Sequence, residues 1–292
     1  MNRRGFIAAA GVAPLAIAAP AIAQTLPSLK WRLTSSFPKS LDTVFSAAPT
    51  IASRVAELTE GRFQIQVFAA GELVPGLAVL DSVGKNTVEM GHSAGFYYFG
   101  AESALVFDTG VPFGLTPRQQ NAWYYYGGGE KQMADLYAGF GVKAIPAGNT
   151  GAQMAGWFRK EIKTPEDLNG LKMRVAGLAG KVYAKLGVVP QQIPGGDIYP
   201  ALERGTLDAV EWVGPYDDEK LGFNKVANFY YGPGVIELGA ATMLYINLAA
   251  YKNCRRAIKR PCARPAARPK SKCLPPTTPR MRRRSGAWWR KV

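Results

Sequence analysis

Four stretches of the chain hold the side chains best suited to gripping a small charged molecule. Arg174 closes the segment Leu171-Lys172-Met173-Arg174-Val175. A guanidinium is a planar fork of donors that matches a carboxylate two bonds at a time. In a cleft Arg174 would fix a ligand's acid group; on an open surface it would only join an ion pair. Glu211-Trp212 closes Leu207-Asp208-Ala209-Val210-Glu211-Trp212. Its carboxylate is suited to be a hard oxygen ligand for a cation, with a main-chain carbonyl beside it. The indole is suited to wall a pocket. The same pair would serve equally as a half-exposed acid next to a core tryptophan. Glu237 is an isolated acid in an apolar stretch, and such a group needs a partner once buried. Gln153, in Asn149-Thr150-Gly151-Ala152-Gln153, offers an amide to a ligand or a cation. Gly95-Phe96-Tyr97-Tyr98-Phe99 either lines a cleft or fills a core, and Tyr98 is its candidate ligand-facing residue, since a tyrosine gives an apolar wall with a polar tip.

Several chemistries are excluded or disfavoured by what else the chain holds. There is no G-x-S-x-G, no H-E-x-x-H and no phosphate-loop pattern. His92 is the only histidine, so a multi-histidine metal site is ruled out and a structural role is expected for it. Gly127-Gly128-Gly129 follows the aromatic run Trp123-Tyr124-Tyr125-Tyr126, which reads as helix, so those glycines are expected to cap or turn the chain. The net charge of +15 suggests nucleic acid, but its distribution argues against that. Fifteen of the 36 Lys and Arg lie in residues 252–292, with no Asp or Glu, leaving 21 bases against 21 acids in the rest. The three cysteines, Cys254, Cys262 and Cys273, lie in that tail too. The body therefore has neither a disulfide framework nor a thiolate metal site.

The elements that must position these residues alternate between strand and helix. Leu29–Leu33 and Phe63–Val67 alternate with period two, as half-buried strands do. Val44–Leu58 reads as a helix capped by Asp42 or Thr43 and stopped by Gly61. A short helix over Leu77–Val83 and a short strand over Val88–Met90 follow. Thr164-Pro165-Glu166-Asp167 has the cap and first-turn proline of a helix start. Strands over Leu171–Val175, Val188–Val189 and Leu207–Trp212 then alternate with helices over Gly180–Leu186 and Asp197–Glu203. This succession implies parallel pairing in two α/β lobes with a ligand cleft between them, at the carboxyl ends of the strands. The expected limits are residues 24–150 for the first lobe and 151–253 for the second lobe with the crossing strands.

At the amino end, Arg3-Arg4, an apolar run over Ala8–Ala21 and the small-x-small site Ala21-Ile22-Ala23 read as an export signal of twin-arginine type over residues 1–23. At the other end, residues 254–292 are Arg/Pro-rich and without periodicity, a composition that cannot bury a core. Read one frame away with suitable codons, parts of this tail can spell amphipathic helices, so a shifted reading frame is expected after Asn253.

The run Gly196-Asp197-Ile198-Tyr199-Pro200-Ala201-Leu202-Glu203-Arg204-Gly205-Thr206-Leu207-Asp208-Ala209 resembles the signature of the extracytoplasmic solute receptors of tripartite ATP-independent periplasmic (TRAP) transporters. Gly170-Leu171-Lys172-Met173-Arg174 is similar to that family's arginine strand, and the likeness extends over about Lys30–Asn253. His92-Ser93-Ala94, Gly148–Met154 and Glu211–Asp218 point to the α-keto acid branch. The resemblance implies a two-lobed periplasmic receptor that is not an enzyme. It implies that Arg174 binds the ligand carboxylate with Gln153 facing it, and that Glu211, Trp212 and Glu237 surround a sodium or calcium ion bridging to a 2-oxo acid such as pyruvate. It also implies delivery to the membrane subunits of a TRAP permease, with pairing of two copies in some members. A periplasmic enzyme acting on a small carboxylate and a receptor presenting ligand to a sensor kinase are the competing readings.

Overall fold

The computed structural model describes residues 28–234 and 236–253. The expected export signal and basic tail lie outside the described residues, as does Val235. The first lobe opens with β1 (Leu29–Ser35), α1 (Ala47–Leu58), β2 (Phe63–Phe68), α2 (Val79–Gly84) and β3 (Met90–Ser93). Two 3-10 segments, Gly95–Tyr98 and Ser103–Asp108, lead to α3 (Pro117–Tyr126) and α4 (Gly129–Gly139), and β4 (Val142–Asn149) leaves the lobe. The second lobe holds β5 (Gly156–Phe158), β6 (Lys172–Arg174), α5 (Gly177–Lys185), β7 (Val189–Gln191), α6 (Gly195–Glu203), β8 (Ala209–Val210), α7 (Pro215–Lys220) and β9 (Phe229–Tyr231). The chain then returns to the first lobe as β10 (Ala241–Asn247) and α8 (Leu248–Asn253).

Each lobe is built on a five-stranded sheet, ordered β2-β1-β3-β10-β4 in the first and β7-β6-β8-β5-β9 in the second. The expected parallel pairing holds for β1 with β2 and β3, and for β6 with β7 and β8. Both sheets are nevertheless mixed. β10 runs antiparallel to β3 and β4, and β5 runs antiparallel to β8 and β9. The reason is the crossover: β4 carries the chain out and β10 brings it back, with Ala241 paired to Asn149 at the point of crossing. Alternation along the strands divides each lobe's core between two sheet faces. Met243 and Tyr245 face one cluster of the first lobe, while Leu244 and Ile246 face the other. In the second lobe Trp157 and Val210 face one cluster, Phe158 and Ala209 the other.

Two sequence expectations shift by two or three residues. The α1 helix begins at Ala47, its N-cap Ser46 making no side-chain capping bond. Asp42 and Thr43 are unavailable as caps because α7 of the other lobe engages them: Thr43 donates to Asp217, and Asp42 accepts from Tyr216 and Lys220. The strand expected over Val88–Met90 forms instead over Met90–Ser93, where it pairs with β1 and β10. Gly61 does stop α1, with φ +76 and its N–H bonded to the Ala56 carbonyl at 2.8 Å. Gly127 is the C-cap of α3, as its position after the aromatic run implies.

The lobes meet directly. Phe37, Leu41 and Val44, which follow β1, pack into the second lobe's core beside Ile198, Trp212 and Phe223. A smaller cluster joins Ala94, Phe96 and Val106 of the first lobe to Ala176 of the second and to Ala240 of the returning segment. Among the described residues no helix is long and apolar enough to cross a membrane.

Candidate functional site

A cavity lies where the lobes meet. Its lining comes from the loop after β1 (Phe37, Val44), from the 3-10 turn after β3 (Phe96, Tyr97), from the outgoing and returning crossings (Thr150, Gln153, Ala240, Thr242), and from the carboxyl ends of β6 and β8 (Arg174, Glu211, Trp212). The free volume in this closed arrangement is about 20 Å³, room for a water or two, so a ligand of even six heavy atoms enters with the lobes apart.

Adjacent strands bring Arg174 and Glu211 together. β6 and β8 are parallel with Arg174 opposite Val210, and the N–H of Glu211 bonds to the Arg174 carbonyl at 2.9 Å. Both side chains leave the sheet at its carboxyl edge, where ligands of open α/β sheets sit. Arg174 is 2 % exposed. Its Nη1 donates to the Glu211 carbonyl at 2.7 Å and its Nε to the Ile193 carbonyl at 3.4 Å. The guanidinium lies 4.5 Å from the centre of the Trp212 ring, a cation–π arrangement. Its Nη1 stands 3.7 Å from the Glu211 carboxylate. A guanidinium this deep, with its inner donors on carbonyls, is too costly to be an incidental surface charge.

The acids beside it are under strain of another kind. Burial pushes Glu211 well above the usual carboxylate range, and Glu237 and Asp218 push the same way against the lowering pull of Arg174. Burial alone raises Glu237 to about 8. Glu211 Oε1, Glu237 Oε1 and Gln153 Oε1 are all buried without a hydrogen-bond partner. Orphaned buried oxygens like these are rare in a native interior, where such atoms are nearly always satisfied. A hard cation would satisfy all three together. The backbone is shaped to match: a Cβ on Gly110 would collide with Glu237 Oε1, and one on Gly234 would press on the carbonyls of Glu237 and Gln153. The residues present therefore fit a cation site of two carboxylates and an amide oxygen. Among the described residues there is no group of three or more His, Cys, Asp or Glu suited to a metal ion, and this set differs in drawing its third oxygen from an amide.

The crossing segments fix these groups. Thr150 exchanges two bonds of 2.9 Å with Ala240, through its N–H to the Ala240 carbonyl and its Oγ1 from the Ala240 N–H. Gly234 N–H donates to the Gln153 carbonyl at 3.0 Å. Asp218, 1 % exposed, accepts from Trp157 Nε1, the Tyr230 hydroxyl and the N–H groups of Val213 and Gly214. Those bonds pin the turn that follows Trp212. Gly195 leaves room for the indole, whose Cη2 would lie 2.6 Å from a Cβ there.

The structure corrects the reading of Tyr98. Its hydroxyl points into the first lobe's core, donating to Ser93 Oγ at 2.9 Å and accepting from Leu80 N–H at 3.1 Å. Tyr97 lines the cavity instead, close enough to Arg174 for the guanidinium to act on its hydroxyl. Burial raises the Tyr97 pKa and the guanidinium offsets part of that rise. Successive residues of a 3-10 turn face about 120° apart, so only one of two adjacent tyrosines can reach the cleft. Glu237 reaches the acid cluster from behind the cavity wall: it is not among the lining residues, yet it acts electrostatically on Glu211. His92 is fully buried, its Nδ1 3.3 Å from Ser35 Oγ and its Nε2 without a partner, and burial lowers its pKa to about 4.

Two α/β lobes closing on a buried guanidinium and a cluster of orphaned oxygens define a solute receptor. The profile of the bacterial extracellular solute-binding proteins of family 7 matches residues 34–263, and the chain belongs to that family. The match runs about ten residues beyond the Asn253 limit expected from the motifs. The monocarboxylate 2-oxoacid-binding periplasmic protein of Nostoc sp. is 54% identical over 259 residues, covering 86% of this chain and 71% of that protein. A TRAP transporter solute-binding protein from Bordetella bronchiseptica superposes with a TM-score of 0.79 at 52% identity, over 80% of this chain and 70% of that one; it is a mixed-occupancy dimer with calcium and picolinate in its active site. A TRAP periplasmic solute-binding protein from Pseudoalteromonas atlantica, with bound sodium and pyruvate, superposes at 0.77 and 42% identity, over 80% and 71% of the two chains.

Proposed function

We propose that this chain is the solute-binding component of a TRAP transporter, and that it carries a 2-oxo monocarboxylate such as pyruvate together with sodium or calcium. The observation that carries the reading is the set of orphaned oxygens on Gln153, Glu211 and Glu237 beside buried Arg174. The relatives' ligands support it, since pyruvate with sodium and picolinate with calcium each pair a carboxylate with a cation.

The bound cation would supply a hard positive centre for the ligand's carboxylate and oxo oxygens. Glu211, Glu237, Gln153 and the main chain at Trp212 would hold it. Arg174 binds the carboxylate, helped by the Tyr97 hydroxyl, and the Trp212 indole walls the pocket. Charge balance discriminates between cations. With both acids ionised, Arg174 and an anionic ligand leave two negative charges. Calcium cancels both, while sodium balances the set only if one carboxyl keeps its proton. The lining holds neither His nor Cys, which supports a receptor that releases its ligand unchanged to the permease subunits.

Export by the twin-arginine route, with a mature chain starting at Gln24, belongs to the same reading, as does pairing of two copies in the intact form. The change to a shifted frame after Asn253 rests on the acid-free composition of residues 254–292, and resequencing the gene tests it. The function itself is tested by a thermal-shift screen of small carboxylates with and without sodium or calcium. Pyruvate is expected to raise the melting temperature only with a cation present, and a rise in cation-free buffer would remove the cation from the account.

A further inference from the structure

The amide of Gln192 spans the two lobes. Gln192 follows β7 in the second lobe, and its Oε1 accepts from the N–H of Gly177 at 3.1 Å, in the same lobe. Its Nε2 donates to the carbonyl of Tyr97 in the first lobe, at 2.8 Å. The neighbouring carbonyl, that of Ile193, accepts from Arg174. One short stretch after β7 therefore holds both halves of the anion seat: Ile193 the guanidinium from its own lobe, Gln192 the tyrosine from the opposite lobe. The fit around this bridge is close. Gly177 has φ +57, and a Cβ on it would stand 2.8 Å from Phe96 Cβ. Tyr97 stacks on Phe96 with ring centres 4.9 Å apart and leans on Phe37 at 6.3 Å.

We propose that Gln192 is the closure latch of this receptor, a positioning residue that holds Tyr97 over Arg174 and so sets how long the lobes stay shut on a ligand. The inference rests on the functional reading above for its ligand, but the latch itself is a property of the lobes. An amide is suited to the task because it offers an acceptor to Gly177 and a donor to Tyr97 at once. A carboxylate of the same size would keep the first bond and set two oxygens against each other at the second. The latch acts only in the closed form, so its loss belongs in dissociation and not in encounter.

The test uses the Gln192→Glu variant, with Gln192→Ala in reserve should the acidic variant fold poorly by circular dichroism. Stopped-flow tryptophan fluorescence with pyruvate and sodium is expected to show dissociation faster by about tenfold, with association within about threefold of the parent. Small-angle scattering without ligand is expected to show a larger radius of gyration for the variant. Unchanged dissociation with unchanged scattering overturns the latch, and so does an affinity loss carried by association alone. If the parent chain itself fails to bind pyruvate, the ligand assignment falls, and the scattering comparison decides the latch by itself.

Discussion

Arg174 is a buried cation already held by two carbonyls, an indole face and a neighbouring carboxylate. Truncating one member of a buried hydrogen-bonded charge pair costs about 2–5 kcal/mol. Arg174→Ala is therefore expected to weaken pyruvate binding by at least about 30-fold in calorimetry; an unchanged affinity would remove Arg174 from the site. Glu237→Gln keeps an oxygen but deletes a charge, which brings the sodium-bound set to neutrality and leaves the calcium-bound set positive. The expected outcome is a larger loss of the calcium-induced thermal shift than of the sodium-induced one. Equal losses would mean that Glu237 acts through shape alone. Arg174, Glu211, Trp212, Glu237 and Gln153 stood out in the sequence as candidates, and the fold brings Arg174, Glu211, Trp212 and Gln153 to one cavity. Tyr97 was not separable from Tyr98, since both residues have the same chemistry and only the 3-10 turn decides which faces the cleft. Gln192 carried no signal, because its partner Tyr97 lies 95 positions away in the chain.

The elements show the same division between local and long-range determinants. The strand over Phe63–Phe68 is legible because buried and exposed residues alternate. The start of α1 is not, because the residues best suited to cap it are drawn to α7 across the cleft. Mixed pairing was likewise hidden, since β10 joins a sheet whose other strands lie before residue 150. The closeness of α5 to the Gly95–Tyr98 turn leads to a test. Gly177→Ala would place a methyl in the left-handed region against Phe96, a strain on the order of 1–3 kcal/mol. The backbone strain is present with the lobes open or closed and is expected to lower the ligand-free protein's stability to urea, whereas the clash with Phe96 arises only on closure and is expected to lower ligand affinity by about tenfold besides; an affinity equal to the parent's would contradict that close approach. Under the first lobe's sheet, Asp108 accepts from Tyr137 at 2.6 Å and from Thr109 at 2.8 Å, and burial raises its pKa to about 7. Its proton is bound more tightly folded than unfolded. The stabilising contribution is thus complete below the ordinary carboxylate pKa near 4 and is lost as pH rises through about 7. Asp108→Asn is expected to flatten the decline in melting temperature between pH 4 and 7, and a decline of parental steepness in the variant would acquit this residue.

At the scale of the whole molecule, the two lobes and the cleft form one binding device. The first lobe supplies Phe37 and Tyr97, the second supplies Arg174, Glu211 and Trp212, and the crossing segments supply Gln153 and Glu237. No single lobe holds every residue of the proposed site, so the proposal requires closure and binding to be coupled. That architecture was legible as alternating strands and helices, whereas the way the first lobe's Leu41 and Val44 enter the second lobe's core was not, being a contact between distant segments. The proposed function has a carboxylate and a cation bound together, each completing the other's site. It is tested most directly by titrating pyruvate into the protein in a calorimeter, in sodium or calcium buffer and in buffer whose only cation is choline. Saturable binding is expected with the metal ion, and at least about tenfold weaker binding without it. Equal affinity in both buffers would contradict it.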